Sequence, residues 1–111
     1  MNRMKFLKAA VAVSALVLSA VSFAQQSSWP SKTITMVVPF AAGGSTDITA
    51  RMLAEKLTPI LGQSVIVDNK AGAAGNIAGA FVARANPDGH TILLSTSTMT
   101  ANVSLYKDMG F

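Results

Sequence analysis

The run KTITMVV, Lys32 to Val38, constrains this chain more than any other stretch, because it is rich in β-branched residues and almost unbroken. A strand with one wet face alternates apolar and polar residues, whereas a strand covered on both faces does not. The run therefore predicts a central strand with other elements above and below it. Pro39 ends it, since proline has no N–H to give to a sheet ladder. Small residues and Gly43-Gly44 follow, then Ser45, Thr46 and Asp47, each able to cap a helix with a side-chain oxygen.

The rest of the chain repeats that alternation. Ile48, Met52, Leu53, Leu57, Ile60 and Leu61 recur at helical spacing, which predicts a helix from Thr46 to Leu61 with that stripe facing the core. Gly62 is its stop, and Pro59 is expected to kink or fray the last turn. SVIVD, Ser64 to Asp68, reads as a second buried strand. A second helix carries Ile77, Ala78, Phe81, Val82 and Ala85 as its stripe, with Asn76 as a possible cap. Asn86-Pro-Asp-Gly89 is a turn, HTILLS, His90 to Ser95, is a third strand, and STMTANVSLY is a loop entering a helix. The order is β-α-β-α-β, an α/β fold with a parallel sheet. Parallel pairing through right-handed crossovers brings the segments Pro39 to Thr46, Asn69 to Asn76 and Thr96 to Asn102 to one edge. That is the edge where open parallel sheets bind ligands.

The first residues are read separately, because MNRMKFLK carries three cations and precedes the apolar run AAVAVSALVLSAVSF. This is the pattern of a secretory signal, with Ser22 and Ala24 as the small residues before a cut after Ala24. The apolar run is shorter than the roughly 20 residues of a spanning helix, so no retained membrane anchor is expected. Residues 1–24 are thus expected to be a signal peptide and residues 25–111 an exported chain of 87 residues. Three of the nine basic residues precede the cut and all five acids follow it, which leaves a net charge of +1. The basic character belongs to the targeting segment and gives no footprint for nucleic acid. With no cysteine, no disulfide framework holds the fold.

Three stretches bear on chemistry. Gly43 and Gly44 leave backbone N–H groups unshielded at a helix N-terminus, where the dipole favours a carboxylate or phosphate. A P-loop requires Lys and Ser or Thr after its last glycine, and neither Gly44 nor Gly75 is followed by such a pair. The dinucleotide fingerprint is also missing, since the glycines are adjacent and Thr46-Asp47 stand where the third is wanted; Asp68, at a ribose-binding position, is weak without it. Gly75, in AGAAGN, either offers more N–H groups to the same cleft or allows close helix-sheet packing. The hydroxyls of Ser95 to Thr100 either satisfy loop backbone or meet a ligand. His90 begins a strand at the opposite edge and reads as structural. No nucleophile elbow, no cluster of His or carboxylates and no cysteine provides a catalytic or metal site, so no enzyme is expected. Asn102-Val-Ser104 matches a glycosylation acceptor, a short and weak pattern.

Taken together, several segments resemble one family, the Bug or TctC-like substrate-binding proteins of tripartite tricarboxylate transporters. The resembling residues are Trp29-Pro-Ser-Lys32, Ile34, Val37-Val-Pro-Phe40, Gly43-Gly44, Thr46-Asp47, Ala50-Arg51, Leu61-Gly-Gln63, Val65, Val67, Gly72, Gly75-Asn-Ile77, Pro87-Asp-Gly89, Asn102 and Leu105-Tyr106-Lys107. The resemblance implies a two-lobed periplasmic binding protein of the type II kind, a monomer without cofactor or metal, that closes on a small carboxylate and delivers it to the transporter's membrane components. It implies ligand contacts from two loops, Phe40, Gly43, Gly44, Ser45, Thr46 and Asp47 in the first and Thr96, Ser97, Thr98, Thr100 and Asn102 in the second, to which the residue reading adds Gly75; Asp47 is expected to cap the helix and shape the cradle instead of acting as acid or base. Met99 departs from the family pattern, where His is frequent, and Val103 departs where Pro is common. Two lobes need roughly 200 to 300 residues, so the chain is expected to be the N-terminal part of a first lobe. The alternative is an exported enzyme or nucleotide-binding lobe with its catalytic residues in a missing C-terminal part.

Overall fold

The computed structural model describes residues 28–111. The expected signal segment and its cut after Ala24 lie outside them. Three strands, β1 (Ile34–Val38), β2 (Val65–Asn69) and β3 (Thr91–Leu93), form one parallel sheet in the order β2-β1-β3. Helix α1 (Ser45–Leu61) links β1 to β2, a short 3-10 turn (Ala73–Gly75) and α2 (Asn76–Ala83) link β2 to β3, and α3 (Ser97–Leu105) follows. The expected β-α-β-α-β order and parallel pairing are therefore present.

β1 is the covered central strand. Ile34, Met36, Val37 and Val38 are at most 2% exposed. Ile34, Met36 and Val38 share one face and join Ala50 and Ala54 of α1 and Val65 of β2 in the core. Val37 lies on the other face by the two-residue period of a strand. The flanking strands differ from expectation. Only Val65 of β2 is buried, while Ile66 is half exposed and Ile92 of β3 is open on its outer side. In sheet order each flanking strand has β1 on one side only among the described residues, so neither is enclosed as β1 is.

The stripe that α1 turns inward is not the predicted one. Asp47, Ala50 and Ala54 are buried, with Leu57 and Leu61 partly so, whereas Ile48, Met52, Leu53 and Ile60 lie on exposed positions. Size explains the choice: two alanines let the helix lie close on the sheet, which larger side chains at those positions prevent. α2 behaves alike, burying Asn76, Ala78 and Gly79 and leaving Ile77 and Phe81 exposed. Pro59 does not break α1, which runs on to Leu61 and ends at Gly62 in the left-handed conformation, its N–H donating to Thr58 O at 3.0 Å. The carbonyl that Pro59 leaves without an N–H belongs to exposed Glu55, where water can serve it.

The edge at the strand N-termini is tied by His90, which is 7% exposed. Its Nε2 accepts the Ser31 N–H at 3.2 Å, so Nδ1 carries the proton and donates to Asp88 O at 3.0 Å. Asp88 in turn accepts the His90 N–H and pairs with Lys32 at 2.8 Å. The Trp29 ring lies 5.9 Å from the imidazole. His90 is thus a structural tie at the edge away from the strand C-termini, and these bonds account for β3 beginning at Thr91.

The close approach of α1 can be tested by size. Ala54→Leu overfills the helix-sheet contact and should cost about 1 to 3 kcal/mol in denaturant unfolding, whereas Met52→Ala should stay within about 0.5 kcal/mol. Equal effects at the two positions would contradict the packing described.

Candidate functional site

All three strands point their C-termini to the same edge, and the connections of β1 leave toward α1 and of β3 toward α3. The strand order reverses here, with β2 on one side of β1 and β3 on the other, which is the switch point of an open parallel sheet. The segments after β1 and β3 therefore flank the crevice that such a sheet offers a ligand.

The first segment is fixed by one carboxylate. Asp47, 3% exposed, accepts the Gly43 N–H and the Arg51 Nε–H on Oδ2 at 2.9 and 3.0 Å, and the Asn69 amide on Oδ1 at 2.9 Å. Asn69 also donates to Phe40 O at 3.0 Å and accepts from Arg51 Nη2 at 3.2 Å. Hydrogen bonds to the charged form lower a carboxyl pKa. The Gly43 N–H, then Arg51 and Asn69, hold Asp47 at about 2.

This network alters the anion cradle. Gly44 is the N-cap of α1, and no side chain caps the helix, although Ser45, Thr46 and Asp47 were all candidates. Asp47 instead reaches back to Gly43, whose N–H is spent inside the protein. The first intrahelical bond is Ile48 N–H to Gly44 O, so the N–H groups of Ser45 and Thr46 precede the ladder, as that of Gly44 does. Gly43 has φ +89. A Cβ on Gly44 would meet only Ala41 O, at 3.6 Å.

The second segment is mainly built for packing. Gly75 has φ +95, and a Cβ there would come within 2.8 Å of the Met99 side chain and 3.2 Å of Pro39. Asn76 is not a cap: α2 starts at Asn76, whose Oδ1 accepts from Asn102 at 2.9 Å. Asn102 also donates to Ala74 O at 2.8 Å and is 1% exposed, so both its amide hydrogens are used inside the protein. The same burial removes Asn102 as a glycosylation acceptor in the folded chain.

The third segment, expected as a loop entering a helix, is helical from Ser97 onward. α3 begins at Ser97, with Ser97, Thr98 and Thr100 exposed in its first turn. Thr96 is its N-cap by position, yet the Thr96 hydroxyl oxygen is buried without a partner. No group of His, Cys, Asp or Glu able to hold a metal occurs among the described residues.

Sequence reasoning missed Arg51 and Asn69 as parts of the site. The four-residue spacing of Asp47 and Arg51 was a readable signal for their ion pair, whereas the partnership with Asn69 depends on strand register. Asp68, weighed for a ribose contact, pairs instead with Lys70 at 3.2 Å.

The depressed carboxyls set an acid dependence. Asp47 and Asp88 are both held at about 2, below their ordinary 3.8. The unfolded chain therefore binds protons that the folded chain refuses between about pH 4 and 2, and stability falls as pH drops through that window. Asp47→Asn should lower the unfolding midpoint near neutral pH and flatten its fall in acid. A variant with wild-type acid dependence would show that Asp47 carries no such network.

Comparison with known proteins accords with this architecture. BugT of Bordetella pertussis is 48% identical over 77 residues, which are 69% of this chain and 24% of BugT. Among solved structures, the periplasmic binding protein BugD superposes with a TM-score of 0.72 at 52% identity, over 75% of this chain and 28% of BugD. MatC from Rhodopseudomonas palustris, solved with bound malate, gives 0.69 at 40% identity over 75% of this chain and 29% of MatC. The chain thus spans less than a third of the length of these relatives, and its sheet corresponds to part of a lobe of their fold. The model of the tripartite tricarboxylate transporter family receptor matches residues 49–111, more than half the chain. The chain belongs to that family, whose members are periplasmic solute-binding proteins rather than enzymes.

Proposed function

We propose that this chain forms part of the first lobe of a periplasmic receptor that captures a small carboxylate and presents it to the membrane components of a transporter. The protein is exported through a cleaved signal at residues 1–24, acts as a monomer and needs no cofactor. Phe40 and Gly43 to Asp47 supply the cradle, Thr96, Ser97, Thr98 and Thr100 line the facing segment, and Gly75 and Asn102 hold the floor between them.

The first turn of α1 carries the proposal. Of the four N–H groups ahead of the helix ladder, those of Gly44, Ser45 and Thr46 are the outermost at the positive end of the dipole, where a carboxylate is favoured. The Asp47 charge beside them is balanced by Arg51. The buried Thr96 hydroxyl adds an atom for which a ligand oxygen is a natural partner. MatC, to which this chain is similar in fold, holds malate, a small carboxylate.

Calorimetric titration of the full-length protein with malate, other organic acids and acidic amino acids tests the proposal. Saturable binding of at least one member is expected, and a folded protein that binds none of them would overturn it. Gly44→Val is compatible with the extended backbone at that position, where a Cβ makes only an ordinary contact with Ala41 O at 3.6 Å, so it should weaken binding roughly tenfold or more by crowding the N–H groups while changing the unfolding midpoint little. Lost folding in that variant would instead make Gly44 a purely structural residue.

A further inference from the structure

Asn69 closes the network described above, and all three of its side-chain hydrogen bonds go to the elements that form the cradle. One Nδ2 hydrogen reaches Phe40 O at 3.0 Å, at the start of the loop after β1. The other reaches Asp47 Oδ1 at 2.9 Å, in the first turn of α1. Its Oδ1 accepts from Arg51 Nη2 at 3.2 Å, one helical turn further on. An asparagine amide has two donor hydrogens and one acceptor oxygen, so this side chain joins β2, the loop and α1 in three directions. The next residue continues the tie, with the Lys70 N–H on Val38 O at 2.8 Å.

We propose that Asn69 is a positioning residue for ligand capture: it fixes the loop from Phe40 to Gly44 against the first turn of α1, and so sets where the Gly44, Ser45 and Thr46 N–H groups point. The proposal rests on the reading that this edge holds a carboxylate. It adds a residue on β2 that itself touches no ligand. Geometry selects asparagine here. An aspartate has the same shape but, when ionised, no donors, and it would set a second negative charge beside Asp47.

That difference supplies a readout that a merely structural role does not move. The charged groups around Asn69 are Asp47 and Arg51 of α1 and Asp68 and Lys70 of its own segment. In the wild type Asp47 stays ionised down to about pH 2, so this network adds no pH dependence of its own between about pH 7 and 5, and each variant is compared with the wild type at the same pH so that protonation of the ligand cancels. In Asn69→Asp two adjacent carboxylates cannot both ionise freely, and one of them takes up a proton at raised pH. The protonated pair regains one O–H donor and loses the repulsion.

The experiment measures carboxylate affinity of the full-length protein by calorimetry, using the panel member that the wild type binds, across about pH 7 to 5, with unfolding midpoints recorded in parallel. Asn69→Ala should lose roughly tenfold to a hundredfold in affinity near neutral pH. Asn69→Asp should lose as much there and recover toward wild type as pH falls. If Asn69→Ala fails to fold, Asn69→Asp at the lower pH still decides the matter. Wild-type affinity in both variants, or an Asn69→Asp affinity that is equally weak at all pH values while the protein stays folded, would overturn the positioning role. A wild type that binds no carboxylate would instead overturn the function on which it rests.

Discussion

Burying the Asp47 carboxylate obliges the surrounding chain to answer it with donors, because an unpaired charge in a protein interior is far more costly than an unpaired neutral group. The answers come from three directions: the backbone of Gly43, the guanidinium of Arg51 and the amide of Asn69. Each lies on a different part of the chain, so meeting the demand of one charge fixes the loop after β1, the first turns of α1 and the end of β2 relative to one another. The N–H groups left over at the start of α1 are then held at a defined place on the edge of the sheet.

The same placement depends on β1. Its side chains are buried on both faces, and its alternating residues serve α1 on one side and the opposite layer on the other. With β2 and β3 on either side of β1, the segments that leave β1 and β3 part at the C-terminal edge and leave a crevice between them. A ligand site at that edge needs no dedicated cavity, because topology opens it and hydrogen bonding stiffens its rim. The family to which the chain belongs uses this architecture in proteins more than three times the length of the matched segment.

Much of this was legible in the residues. The unbroken KTITMVV run marks a central strand, and the Gly43-Gly44 pair marks the turn into a helix. What sequence periodicity misjudged were the helix faces: Ile48, Met52 and Ile60 look like a core stripe, yet the sheet selects Ala50 and Ala54 because closeness of approach matters more there than apolar area. The start of α3 was obscured because Ser and Thr favour caps and turns as readily as first helical turns. The hydrogen bonds of Asn69 and Asn102 were unreadable for one reason, namely that their partners, Phe40, Asp47, Asn76 and Ala74, are distant in sequence and are brought near only by the fold.

One buried carboxylate spends the Gly43 N–H, and the proposed carboxylate site is left with those of Gly44, Ser45 and Thr46. Amide NMR of the full-length protein separates these roles most directly. The Gly43 amide resonance should follow the Asp47 carboxyl in acid and be little affected by saturating carboxylate ligand, while the Gly44, Ser45 and Thr46 amides shift on ligand addition. A Gly43 amide indifferent to acid, or Gly44 to Thr46 amides unmoved by a bound carboxylate, would contradict it.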